Sequence, residues 1–127
     1  MDYKKLIASM PKGIERDTLR VISYHIGKER AIGRTALVAS LSEQGIHSNE
    51  RAVRFVIRDL RREGHLICST PGDNGGYYLA SNLAEYQDFR QAEFVAKIID
   101  MNETVRAMDH AAKSAFGVGY QQSFNIG

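Results

Sequence analysis

From residue 51 to residue 62 the apolar and polar positions separate with a helical period. Val53, Val56, Ile57 and Leu60 recur at i, i+3, i+4 and i+7, the spacing of one buried helix face. At about 100° per residue, Arg51, Arg54, Arg58, Arg61 and Arg62 fall within an arc of roughly 100° on the opposite side, with Asp59 and Glu63 off it. Ser48 and Asn49 stand where a helix start needs side chains that accept orphan backbone N–H bonds. Gly64 is the residue type that closes a helix most easily. The pattern predicts a helix within 48–64 that has one apolar face and one cationic face, and the rest of the chain is organised around it.

Upstream, Leu6, Ile7 and Met10 share one side of a short helix over 2–10, ended by Pro11 and Gly13. Leu19, Ile22 and Ile26 give a second helix, over 14–26, its buried stripe, and Gly27 stops it. Residues 28–33 form a polar connection anchored by Ile32, with room for a very short strand. A third helix over 34–44 buries Leu37, Val38 and Leu41 and ends at Gly45, and Ile46 and His47 link it to the arginine-bearing helix. Two helices joined by a short glycine-containing turn make a helix-turn-helix. Beyond Gly64 the period changes: 65–70 reads as a strand, 71–76 as a loop and 77–80 as the return strand of a hairpin.

The third region begins with Asn82 followed by Glu85, a capped start, and no breaker follows before Gly117. A helix over 82–116 would be about 50 Å long. Phe94, Ile98, Met101, Val105, Met108 and Ala112 are spaced alternately by four and three, an a/d pattern. It predicts dimerisation through Phe94, Ile98, Met101, Val105 and Met108; the alternative is a helix folded back against Leu6, Ile7 and Met10. The expected organisation is a domain over 1–80 with a helical extension at 1–13, a long helix over 81–116, and a flexible tail over 117–127 that a partner orders.

Composition changes this picture little. Of 127 residues, 43% are hydrophobic and 25% charged, values ordinary for a globular protein. The formal net charge is only +2, so a nucleic-acid footprint has to come from clustered charge rather than total charge. No apolar run approaches the roughly 20 residues of a membrane span. The start of the chain, with Asp2 before a short apolar run, does not resemble a secretory signal. Cys68 is the single cysteine and has no internal partner, which fits a reducing cytoplasm.

Catalytic signals are weak. His65 and Cys68 have a ligand-like spacing, but no second pair accompanies them, and strand alternation puts them on opposite faces. Gly27-Lys28 lacks the upstream glycine and the following Ser or Thr of a phosphate loop. Gly72, Gly75 and Gly76 read as turn chemistry. His25, His47 and His110 are isolated, and Asp100 and Glu103 sit on a helix surface. The expectation is a protein without an active site, metal or cofactor.

The run RTALVASLSEQGIHSNERAVRFVIRDLRREGHLICSTPGDNGGYYLA resembles the winged helix-turn-helix DNA-binding domains of bacteria and their phages. The resemblance rests on the helix and turn ending at Gly45-Ile46, the spacing from Val53 to Leu60, the Arg62-Glu63-Gly64 exit and the GGYYL return strand, and it covers about 18–80. It implies an α+β fold, mainly helical with a small β-hairpin wing: a winged helix-turn-helix followed by a long C-terminal helix. It also implies binding to double-stranded DNA with helix 48–63 in the major groove.

By position, Ser48, Asn49, Arg51 and Arg54 then lie where the helix meets the DNA, the last three within reach of base edges. Arg58 is placed for phosphate, and Arg34 and Thr35 for the DNA backbone, with Arg30 a weaker candidate. Phe55 is expected to pack at the helix edge, with contact to a thymine methyl as the alternative. The loop 72–76 carries Asp73 and neither Lys nor Arg, so the wing is expected to add little affinity. The resulting expectation is a small homodimeric, sequence-specific DNA-binding protein, either a transcriptional regulator or a phage or plasmid replication or maintenance factor. The alternative is a winged-helix module that docks a protein partner through its long helix or tail.

Overall fold

A computed structural model describes residues 2–117, and the expected tail, from 118 onward, lies outside the described residues. The chain divides into two units, Met1–Gln87 and Asp88–Gly127.

In the first unit, α1 (Tyr3–Ser9) starts where the Asp2 carboxylate accepts the Lys5 N–H, and it buries Ile7 with Leu6 and Met10 packed alongside. The second helix, α2 (Ile14–Ile22), buries Thr18, Leu19, Val21 and Ile22. It stops four residues short of the expected Ile26, because the chain turns at 23–25 and becomes extended. The Gly27 N–H then donates to the Leu79 carbonyl at 2.9 Å, and the Leu79 N–H donates to the His25 carbonyl at 2.9 Å. Ile26 is therefore an extended, 48% exposed residue and not part of a buried helical stripe.

A 3-10 turn at Lys28–Arg30 leads into β1 (Ile32–Gly33), α3 (Arg34–Glu43) and α4 (Glu50–Arg62). Leu37 and Leu41 of α3 are fully buried, with Val38 packed beside them. At the start of α4 the Asn49 side chain accepts the Ala52 N–H at 2.8 Å, while Ser48 stays outside the cap. Val53, Ile57 and Leu60 enter the core with Leu19, Ile22 and Leu79. Burying side chains of this size stabilises the fold by about 1.5–3 kcal/mol each before chain entropy is counted.

Strands β2 (Ile67–Ser69) and β3 (Gly76–Leu79) form a hairpin, and β1 joins it in a three-stranded antiparallel sheet of order β1-β3-β2. The strand expected over 65–70 is shorter for two local reasons. The His65 N–H still bonds the Leu60 carbonyl at the exit of α4, and Thr70 already belongs to the loop. There its N–H donates to the Gly76 carbonyl at 2.9 Å while its Oγ1 accepts the Gly76 N–H at 2.8 Å.

Of the loop glycines, Gly72 is a turn residue with φ +90°, but Gly76 does something else. It faces Gly33 across the ladder, where a Cβ would run into the Ile32 backbone carbonyl. Gly75 likewise presses against the Thr70 and Gly72 carbonyls. The two adjacent glycines allow close backbone approach, a requirement separate from turn formation.

Helix α5 (Leu83–Arg90) carries the capped start foreseen at Asn82 and Glu85, with the Asn82 side chain accepting the Glu85 N–H at 2.9 Å. A π-helical stretch at Gln91–Val95 follows, then α6 (Ala96–Phe116). The region is helical as expected but not uniformly α: the Ala96 N–H bonds the Gln91 carbonyl, five residues back. That wider turn brings Phe89 and Phe94 together edge to face, with ring centroids 5.4 Å apart and planes at 86°. Gly117, at φ +77°, ends α6. Among the described residues no helix is long and apolar enough to cross a membrane.

Candidate nucleic-acid interface

The cationic face lies on α4, whose inward stripe fixes how the outward residues are presented. With Val53, Ile57 and Leu60 locked in the core, Arg51, Arg54, Phe55, Arg58 and Arg62 are all exposed on the other side. Arg51, Arg54 and Arg62 have no ion pair or hydrogen bond from their side chains among the described residues. Arg58 places a guanidinium nitrogen 3.1 Å from the Asp59 carboxylate and its Cζ 5.0 Å from the centre of the Phe55 ring. Both partners of that ion pair are about half exposed, so it holds Arg58 by only about 0–1 kcal/mol.

Arg61, half-buried, differs from its neighbours in being engaged by the fold. Its Nε donates to the Ile67 carbonyl at 2.7 Å, which makes it a strut between α4 and β2. The sequence arc of five arginines therefore becomes an exposed set of four. Around Phe55, the side chains of Arg51, Arg54, Arg58 and Arg61 fence an open depression of about 540 Å³.

The remaining candidates scatter in role. Thr35 is exposed on the first turn of α3. Arg34, next to it, reaches the hairpin loop: one terminal nitrogen donates to the Gly72 carbonyl at 3.0 Å and the other approaches the Thr70 carbonyl at 3.4 Å. Its guanidinium braces the loop against the start of α3. Asn49 spends its side-chain oxygen on the cap and keeps its amide NH2 for another partner. Ser48 is half-buried, with Oγ 3.5 Å from the Asn49 carbonyl. Arg30 is exposed on the 3-10 turn. Arg62 was not singled out from sequence as a contact residue; its place on the arc was the available signal.

Two carboxylates outside this face have shifted titrations. Glu85 accepts the Ser81 and Lys28 N–H groups at 2.9 and 3.0 Å and the Ser81 hydroxyl at 3.1 Å. These donors favour the charged form and hold its pKa below the usual carboxylate value. Glu15, at the start of α2, is pushed up by partial desolvation and by the Glu63 and Asp59 carboxylates. The Cys68 thiol is buried, and burial raises its pKa, so it is poorly suited to act as a nucleophile. Among the described residues no three or more His, Cys, Asp or Glu side chains gather as a metal-binding group.

The five candidate dimerisation residues fall in the second unit. Ile98 is 56% exposed and Met101 and Met108 are each 68% exposed, whereas Val105 is half-buried and Phe94 already meets Phe89. No family model, curated protein or solved structure matches the chain.

Proposed function

We propose that the chain is a sequence-specific, double-stranded DNA-binding protein of the winged helix-turn-helix type. In this reading α4 lies in the major groove and two copies associate through α6. The carrying observation is the exposed set Arg51, Arg54, Arg58 and Arg62 opposite the core stripe of the same helix, three of them without a side-chain partner among the described residues. Unpaired guanidinium groups on a helix that fits a major groove neutralise phosphates and reach base edges, best of all guanine O6 and N7. Arg51 and Arg54, nearest the helix start, carry the base contacts, while Arg58, Arg62 and Thr35 hold the backbone. The protein acts by occupying its site, in transcriptional control or in replication or maintenance of a phage or plasmid.

A second reading, a winged-helix module that docks a protein partner, draws on a different observation. The hairpin loop has no Lys or Arg, Arg34 is engaged with it, and Ile98, Met101 and Met108 leave an apolar face on α6.

Fluorescence anisotropy of labelled duplex across a salt series tests the first reading, with sedimentation equilibrium of the same samples reporting association. Replacing Arg51, Arg54 and Arg58 together by alanine should flatten the log K against log salt slope by about 0.9 per protomer for the phosphate contact of Arg58, and should weaken binding further through the two lost base contacts. The variant should fold normally, because all three side chains face solvent. Failure of pooled random duplexes to bind at low salt would refute this function and favour the protein-docking reading.

A further inference from the structure

Within the arginine face lies one apolar residue. Phe55 is 48% exposed, and about 40° of helical arc separates it from Arg51. It is the only aromatic residue of α4. The core does not hold this ring, and its one described ring contact is the Arg58 guanidinium, 5.0 Å from its centre. A half-exposed phenyl ring among four arginines suits a surface with one apolar feature inside a polar, anionic frame. The major groove offers one such feature, the 5-methyl group of thymine.

We infer that Phe55 is a specificity-determining residue that reads a thymine methyl at one position of the DNA site. The inference rests on the DNA-binding reading above. The cation–π contact steadies the ring from the Arg58 side, and the ring itself lines the open depression together with Arg51 and Arg54. Spacing along the helix also locates the thymine. Phe55 follows Arg51 by four residues, about 6 Å of rise, and base steps are about 3.4 Å apart. For a helix lying along the groove, the thymine stands about two base pairs from the pair that Arg51 contacts.

The test uses the full chain and a duplex selected from a random pool by the wild-type protein. Each thymine of that duplex is replaced in turn by deoxyuridine, which removes only the methyl group. At one position the wild type should bind about fourfold more weakly, the worth of one buried methyl-sized group. Phe55→Ala should bind the thymine duplex more weakly and show no difference between thymine and deoxyuridine at that position, while Phe55→Leu should keep part of the preference. Thermal melting of both variants should match the wild type, since the ring is outside the core. A selected site insensitive to every deoxyuridine, or a penalty of the same size in Phe55→Ala, overturns the inference and leaves the DNA-binding reading intact. A protein that selects no duplex overturns both.

Discussion

Adding one methyl group at residue 76 should damage this fold more than most core truncations of similar size. In Gly76→Ala the new Cβ meets the Ile32 carbonyl oxygen, with the Ile32 carbonyl carbon 2.6 Å away and the Gly33 nitrogen 2.9 Å away. All three atoms are backbone, so no side-chain rotation relieves the clash. Relief requires β1 and β3 to separate, which weakens the pairing of Ile32 with Tyr77 and of Gly33 with Gly76. Overpacking in a well-packed region costs about 1–3 kcal/mol. Each ladder hydrogen bond lost adds about 0.5–1.5 kcal/mol. A loss of about 3 kcal/mol follows, a large part of the roughly 5–15 kcal/mol of a typical domain.

The assay is urea denaturation followed by circular dichroism, with a thermal melt expected to fall by about 10 °C. Gly33→Ala is the matched control: Gly33 pairs with Gly76, yet its φ is −62° and a Cβ there meets nothing within 4 Å. That variant should stay within about 1 kcal/mol of the wild type. If Gly76→Ala loses less than about 1 kcal/mol, or no more than Gly33→Ala, the close-approach reasoning is wrong.

Arg61→Ala removes the 2.7 Å bond to the Ile67 carbonyl, and a charge-assisted bond of this kind is worth about 1.5–3 kcal/mol. Its urea midpoint should drop while the salt slope of the proposed DNA binding stays at the wild-type value; the reverse pattern would return Arg61 to the exposed arginine set. Glu85→Gln should be less stable than the wild type at neutral pH, because the folded pKa of Glu85 is depressed and its stabilisation exists above the unfolded pKa. The gap should close as pH falls from about 6 to about 3, read from urea midpoints across that range, and a gap independent of pH would dismiss the carboxylate's role.

What could be read from the chain depended on how far each residue's partner lies along it. The apolar stripe of α4, the Asn49 cap and the fully buried Leu37 and Leu41 follow from periodicity and capping, which act within a few residues. Ile26, Arg34, Arg61 and Gly76 owe their roles to Leu79, Gly72, Ile67 and Ile32, and neither helical spacing nor turn composition carries that information. Arg61 shows how this affects the site: it has nearly the same helical phase as the exposed Arg54, and a strand carbonyl engages it. The π turn left no mark either, since Gln91, Ala92 and Glu93 are ordinary helix formers.

That π turn gives the chain a tolerance to changes in length. An α-helix advances about 100° per residue, and a π turn absorbs one residue without adding a full step of rotation. Deleting one residue within Gln91–Val95 would therefore restore plain α geometry with Ile98, Met101 and Met108 near their present phase relative to Phe89, whereas a deletion in the plain α geometry after Val95 would swing the residues beyond it by about 100°. A one-residue change in length is thus taken up at this turn, and the apolar face of α6 keeps its direction relative to Phe89.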